Sequence, residues 1–408
     1  MRKKIIILGI CLYGAGWLRA QEIPAVLYRE GEVQTADLSG RIEFHAVAKD
    51  SSAHLGFPTA VLTGGARDEI LAAYGRTDTA RHIRLTKSTD GGDTWQELRT
   101  DDSWTGEQYR ALSLFNLGRE ALRKRSGVAY RGRGKSIVLF AGGNPLSISA
   151  TYTDGEKWCP FYPVNSFGGF RVTGLVRLRD GRHMALFHDD GRFIYDDGQP
   201  TRLRKSAIYK IYSSDGGLTW SRPQLILKHN LYGLYDAEIV PSRRRDNSDL
   251  LIVCSDRERR VSFLAVSSDD GETWSYPEEL PPLIRGDRFR IVSDKTAFYV
   301  IYRDMGTCLE DGSVNPTFGD LMLWRGDLRE LSRGRWNGLK VRLGDNYPAE
   351  KTDTADLRFS DSGYASVLPL TGRRLSVIVY GRWEAEHPPY VRNFIVDTRQ
   401  LRKLKRKL

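Results

Sequence analysis

The sequence predicts an all-β fold, a six-bladed β-propeller built of four-stranded antiparallel blades. Three observations predict it. One turn is spelled repeatedly, as STDGGDTW at 88–95, SSDGGLTW at 213–220 and SSDDGETW at 267–274, with a worn copy, TYTDGEKW, at 151–158. A strand–turn–strand unit recurs six times at a period of about 45–65 residues, the mark of a repeat architecture. The composition, with 19 Tyr, 15 Phe and 9 Trp in 408 residues, favours strands. No helical period of useful length interrupts the pattern, and no Pro/Ser linker splits it. One propeller domain is therefore expected over 21–398.

The first segment, MRKKIIILGICLYGAGWLRAQ, has a basic start (Arg2, Lys3, Lys4), an apolar run from Ile5 to Trp17 and small Ala20 before Gln21. This is the pattern of a secretory signal over residues 1–20. Its apolar run of about 13 residues is too short to span a bilayer. The mature chain is expected in the periplasm, secreted or at the cell surface.

The six repeated units follow in order. They are FPTAVLTGGARDEILAAYGR (57–76), GVAYRGRGKSIVLFAGGN (127–144), FRVTGLVRLRDGRHMALFHDDGR (170–192), DAEIVPSRRRDNSDLLIVCSDRER (236–259), FRIVSDKTAFYVIYRD (289–304) and YASVLPLTGRRLSVIVYGR (364–382). Each holds two strand-like runs joined by a Gly- or charge-rich turn. Each leads into a second hairpin, four of them closed by the repeated turn. In that turn, Asp90, Asp215 and Asp269 are expected to accept from backbone N–H groups two residues on. Gly92, Gly217 and Gly271 supply positive φ, and Trp95, Trp220 and Trp274 wedge into the packing. The turn reads as a structural clasp, not as chemistry.

The net charge of +11 is terminal. Four positive charges lie in the signal segment and six in the tail RQLRKLKRKL (399–408), so the body between them is close to neutral. No phosphate-tracking surface is indicated, and nucleic acid is not an expected partner. The tail reads as a frayed, solvated end. The three cysteines beyond the signal, Cys159, Cys254 and Cys308, match no zinc pattern. No metal and no cofactor is expected, and no phosphate-cradling glycine loop or Ser-His-Asp order emerges.

In an up-and-down propeller the first strand of each blade is innermost. Polar groups at its start, or just after the second strand, converge on one end of the axis, with the repeated turns at the other. Arg76, Asp189, Asp190, Arg192, Asp256, Arg257, Arg303 and Arg382 follow second strands, while Glu238 and Tyr364 open first strands. A ring of such groups around a depression suits a polar ligand.

The repeated turns (Asp-boxes, or BNR repeats) together with the six-unit plan resemble the sialidase (neuraminidase) superfamily over nearly all of the chain beyond the signal. GYASVLPLTGRRLSVIVYGR resembles the segment that carries the family's catalytic tyrosine, with Tyr364 in that place, and YDAEIVPS resembles the segment of its partner glutamate, with Glu238. The chemistry suits such a pair. A sialic acid bears a carboxylate on its anomeric carbon, which repels an anionic nucleophile, whereas a neutral phenol with an adjacent base avoids that repulsion.

The family also holds the substrate carboxylate with three arginines. The resemblance assigns Arg257 and Arg303 to the second and third. The first departs: the chain reads LGFPTAV, with Gly56 where the family has arginine. Arg171 in FRVTGLVRL looks like that motif two blades further on. The resemblance points to Asp78 in YGRTDTARH as general acid, with Asp189 or Asp190 beside His188 as the alternative. Asp190 and Arg382 join the substrate-binding candidates.

Three readings of function stand together. One is a secreted, sialidase-like glycoside hydrolase acting as a monomer on the terminal acidic sugar of a glycan. Another is a propeller glycosidase for a different sugar, with a histidine such as His54, His82 or His188 taking part. The third is a glycan-binding propeller without turnover.

Overall fold

The computed structural model describes residues 25–30, 33–64, 67–77, 82–98, 104, 110–118, 135–242, 249–306, 313, 315–335, 337–346 and 362–406. The chain begins with β1 (Val26–Glu30), β2 (Val33–Asp37) and β3 (Glu43–Ala48), then builds blades in sequence. Blade 1 holds β4 (His54–Leu62), β5 (Ile70–Thr77), β6 (His82–Ser88) and β7 (Gln96–Leu98). Blade 2 holds β8 (Arg110–Leu117), β9 (Ser136–Gly142), β10 (Ser147–Thr151) and β11 (Tyr162–Pro163). Blade 3 holds β12 (Val172–Arg177), β13 (His183–Asp189), β16 (Ala207–Ser213) and β17 (Gln224–Leu227), with a small hairpin of β14 (Tyr195–Asp196) and β15 (Gln199–Pro200) inserted.

Blade 4 holds β18 (Tyr235–Pro241), β19 (Leu250–Asp256), β20 (Val261–Ser267) and β21 (Glu278–Glu279). Blade 5 holds β22 (Gly286–Ser293), β23 (Phe298–Asp304), β24 (Leu321–Gly326) and β25 (Leu339–Gly344). Blade 6 holds β26 (Gly363–Leu370), β27 (Arg374–Gly381) and β28 (Tyr390–Asp397), and takes β3 as its outer strand. The expected six-bladed propeller is present, and an early strand closes the ring on the last blade.

Six apolar clusters make the core, one at each blade–blade seam. The seam between blades 4 and 5, for example, buries Leu251, Val253 and Leu264 against Phe289, Phe298 and Trp324. The second strands are buried along their whole length, as in β9, β13, β19 and β23. Both faces of a blade meet a neighbour, so these strands read as continuous apolar runs, not alternating ones.

The repeated turn is a clasp between blades. In blade 1 Ser88 Oγ bonds Asp90 Oδ1 (2.7 Å) and accepts from Gly92 N–H (2.8 Å), while Asp90 accepts from the N–H groups of Asp93 and Thr94. Those donors lie three and four residues on, not the expected two, because Ser88 already satisfies Gly92. Asn393 of blade 6 reaches across to bond the Gly92 carbonyl (3.0 Å). In each copy the glycine lies against the preceding blade. A Cβ on Gly217 would stand 2.5 Å from Leu117 of blade 2, and one on Gly271 2.8 Å from Met184 of blade 3. The worn copy keeps the geometry with Thr153 in the aspartate's place, its Oγ1 accepting from Lys157 N–H (2.8 Å).

Three details depart from expectation. Blade 2 takes its first strand from 110–117, and 119–134, which includes most of the expected strand, lies outside the described residues. Blade 5 is widened to six strands, because β2 pairs in parallel with β25 and brings β1 with it. Buried Lys340 fixes that addition through a bond to Glu30 (2.8 Å). The tail is not frayed: residues 398–405 form a helix, since Asp397 caps its first turn and Leu401 and Leu404 bury on the blade 5–6 seam. One further helix, Leu328–Ser332, is capped in the same way by Asp327. Residues 1–20, expected to be a signal segment, lie outside the described residues.

Candidate functional site

A register shift marks the start of every innermost strand, between Gly56 and Thr59, Arg110 and Ser113, Val172 and Gly174, Tyr235 and Glu238, Asp287 and Arg290, and Gly363 and Ser366. A bulge sets two residues against one on the partner strand and re-aims a side chain. Five blades place a non-glycine residue with positive φ just inside it: Phe57 (53°), Ala111 (49°), Asp236 (49°), Arg288 (56°) and Tyr364 (49°). The left-handed region costs such residues of order 1–3 kcal/mol each, and strain of this kind concentrates at ligand sites. Here it turns one side chain per blade toward the axis. The repeated turns lie at the other end, since Ser88, Ser213 and Ser267 pair with the first residues of the second strands.

Tyr364 is the hub of the site. The Arg171 guanidinium lies 4.3 Å from its ring centroid and that of Arg288 lies 4.1 Å away, within reach of a cation–π attraction. The Phe57 ring packs at 5.2 Å. Arg171 is fully buried. Its Nε donates to Ser113 Oγ (3.1 Å), but Nη1 and Nη2 have no partner. Burial, aided by neighbouring Arg290, pulls its pKa down to about 9. Arg288 bonds Ser362 O and Tyr380 OH. Burial disfavours its charge as well, yet Tyr364, Tyr380, Asp287 and Asp236 hold it above the usual arginine value.

Blade 4 turns in Asp236, whose Oδ2 accepts from Arg257 (3.2 Å) and whose Oδ1 is buried without a partner. Its backbone N–H donates to His188 Nδ1 (3.2 Å). Fully buried Asp287 accepts from Arg257 Nε (2.8 Å) and from Arg303 Nε (2.9 Å) and Nη2. Burial opposes its charge, but the arginines, Arg303 foremost, hold it down at about 2.

Of the residues singled out from sequence, Tyr364 and Arg171 meet at this centre. Arg257 and Arg303 lie beside it but are committed to Asp287, and Arg257 also to Asp236. Glu238 is held by Arg290 and feels the charge of nearby Arg171. It sits one register beyond the bulge, bonded to Arg290, which also donates to Thr173 O. Burial raises its pKa to about 7 against the pull of Arg290. Asp236, two residues earlier, is the blade 4 residue with positive φ at the bulge.

Asp189 caps a turn, accepting from Gly191 N–H (2.6 Å), and Asp304 does the same in blade 5 with Gly306 N–H (2.6 Å). A shared role at matched strand ends marks it as structural. Asp190 is bonded to Arg192, and Arg382 to Asn346 and Ala385 O. Asp78 lies outside the described residues. Gly56 stands beside Phe57, so the first blade offers an aromatic ring at the axis.

Asp236, Arg288 and Asp287 were not singled out from sequence, though a signal was present. Aligning the first strands on one another stacks FPTAVL, DAEIVP, RFRIVS and YASVLP, with Phe57, Asp236, Arg288 and Tyr364 in one column.

No family model matches the chain, and no curated protein sequence matches it. Solved structures do. A protein of unknown function from Dyadobacter fermentans superposes with a TM-score of 0.59 at 12% identity, covering 86% of this chain and 97% of that one. The NanB sialidase from Streptococcus pneumoniae gives 0.51 at 12% identity, covering 88% and 71%. The Trypanosoma rangeli sialidase gives 0.50 at 13% identity, and this chain covers 57% of its length. Likeness at such identities shows a shared fold, a sialidase-like propeller of the kind that glycosidases use.

Proposed function

We propose that the protein is a glycoside hydrolase that releases a terminal acidic sugar, sialic acid or a close relative, from glycans, with Tyr364 as nucleophile. The observation that carries this reading is the buried Arg171 guanidinium, with two unpartnered nitrogens, stacked on Tyr364. A cation out of water with donors unmet costs several kcal/mol. A substrate carboxylate arriving beside the phenol offsets that cost with paired, charge-assisted bonds. Arg288 supplies a second cation, and Arg257, whose side chain is 37% exposed, a third at the rim.

In the first step Asp236 takes the phenol proton while the Tyr364 oxygen bonds the anomeric carbon. The glycosidic C–O bond breaks, and its oxygen leaves with a proton from Asp78. In the second step water gives a proton back to Asp78 and bonds the anomeric carbon. The Tyr364 C–O bond breaks and Asp236 returns the proton to the phenol. Asp236 replaces Glu238 as base because its Oδ1 is unpartnered, whereas Glu238 is bonded to Arg290. Residues 1–20 would direct the enzyme out of the cytoplasm.

A fluorogenic sialoside tests the reading. Turnover by the wild type is expected, with a loss of at least about a thousandfold in Tyr364→Phe and about a hundredfold in Arg171→Met. The Arg171→Met protein should melt no lower than the wild type by more than about 1 kcal/mol of stability, since an uncompensated buried charge is removed. No turnover by the wild type rejects the proposal. A second reading, hydrolysis of a different sugar, is favoured by Phe57 at the axis. Release of a uronic acid or deoxy sugar from a glycan panel with sialosides untouched would select it, and glycan binding without any release would mark a non-catalytic propeller.

A further inference from the structure

The positive charge that the sequence gathers near its C-terminus is held in order by the fold. The closing helix, Thr398–Lys405, follows β28 at Asp397, which pairs with Arg374, the first residue of β27. That is the end of the ring at which the repeated turns lie, opposite the bulges. Thr398 pins the helix there, its N–H and Oγ1 both donating to Arg373 O (2.9 and 3.0 Å). Leu401 and Leu404 pack into the core. Arg399, Arg402, Lys403 and Arg406 recur at i, i+3, i+4 and i+7 and so share the opposite face.

Two of these cations are neutralised, Arg399 by Asp397 (3.0 Å) and Arg402 by Asp294 (2.7 Å). Lys403, Lys405 and Arg406 are exposed and have no ion pair among the described residues, and the same holds for Arg373 in the turn that carries the helix. Burial, and after it the like charge of Arg325, pulls the pKa of Lys405 below the usual lysine value. Positive charge is thus crowded on one face whose nearby acids are already engaged, which favours an arriving layer of anions. The apolar face of the helix is taken up by the blade 5–6 seam, so it has nothing to insert into lipid. Among the described residues no helix is long and apolar enough to cross a membrane. Contact through this face is by charge, and sensitive to salt.

We propose that this face docks the protein on the anionic head groups of a phospholipid bilayer. Lipid is favoured over nucleic acid because residues 1–20 read as an export signal, and outside the cytoplasm it is lipid leaflets that present ordered phosphate. Docked in this way, the protein holds the Tyr364 end of the ring away from the bilayer and open to glycans. The use of that orientation rests on the glycosidase reading, whereas the docking does not.

Cosedimentation with lipid vesicles supplies the test, on the protein freed of residues 1–20, whose apolar run would itself enter lipid. The vesicles are phosphatidylcholine alone, or with about one third phosphatidylglycerol. Binding to the anionic vesicles is expected at about 0.05 M salt and is lost at about 0.5 M, where charges are screened within a few ångströms. None is expected to phosphatidylcholine alone. The double variant Lys403→Gln, Arg406→Gln should bind about twentyfold more weakly, as a loss of about fivefold per charge implies. The control, Arg204→Gln with Lys228→Gln, removes two exposed cations at the site end of blade 3 and should bind as the wild type does. Thermal melts confirm that all are folded.

Binding to phosphatidylcholine as strong as to the anionic vesicles, binding that survives high salt, or equal binding by the Lys403→Gln, Arg406→Gln variant and the wild type overturns the proposal. So does capture of a DNA duplex without binding to the anionic vesicles, which marks the face as one for nucleic acid. Vesicle binding without sialoside hydrolysis sinks the glycosidase reading alone, and hydrolysis without vesicle binding sinks the docking alone. Where sialosides are turned over, the vesicle-bound protein should hydrolyse a soluble aryl sialoside at the rate of the free protein, and a rate that falls on binding contradicts the orientation.

Discussion

Asp287 is the residue on which the geometry of the site rests. It is fully buried, and it fixes Arg257 and Arg303 while touching nothing that reacts. Its folded pKa of about 2 lies below its unfolded value. The pair therefore contributes stability that is complete above about pH 4 and is lost as the pH falls toward 2. Asp287→Asn should cost about 3–5 kcal/mol at pH 7, because two buried or half-buried arginines lose their counter-ion. The gap to wild type should shrink at pH 3, where the wild-type carboxyl begins to protonate. Urea unfolding at the two pH values checks this, and a gap that widens in acid would deny the assignment.

Among the elements, two devices do separate work at opposite ends of blades 1 to 4. The bulge at the start of the innermost strand turns a side chain to the axis, and the repeated turn after the third strand latches one blade to the one before it. The two are independent, so damage to the latch should cost stability and spare activity. Gly217 has φ 86°, and a Cβ there would meet Leu117 at 2.5 Å. Gly217→Ala is expected to lose about 1–3 kcal/mol from strain and overpacking. Specific activity per folded molecule at 25 °C should stay within about twofold of wild type. A large loss of activity without a fall in melting temperature would show that the latch reaches the site.

For the molecule as a whole, the ring closes non-covalently. β3 is the fourth strand of blade 6, and β1 and β2 cover the edge of blade 5. A chain begun at residue 49 would leave β28 an open edge and strip Val47 from the seam between blades 6 and 1. Open edges pair with other chains. Such a chain should aggregate or lose its cooperative melt, as size-exclusion chromatography and near-UV circular dichroism would show. A monomer with native melting would mean that the closure is dispensable.

The repeats carried the fold in plain sight, because six copies of one strand pattern have one economical way to bury their faces, each on the next. Tyr364 and Arg171 were legible through their resemblance to segments of a known family, and Tyr364 also as the residue that opens a first strand. Asp236 and Asp287 were not. A bulge shifts the alternation of side chains by one, so the contacts of Asp236 could not be read from the order of residues. The linear order by itself determined a closed ring of sheets and the end at which its polar groups collect. Tertiary structure decided which carboxylates neutralise arginines and which stay free, because charges from blades 3, 4 and 5 interact only once the ring has brought them together in a place that water does not reach.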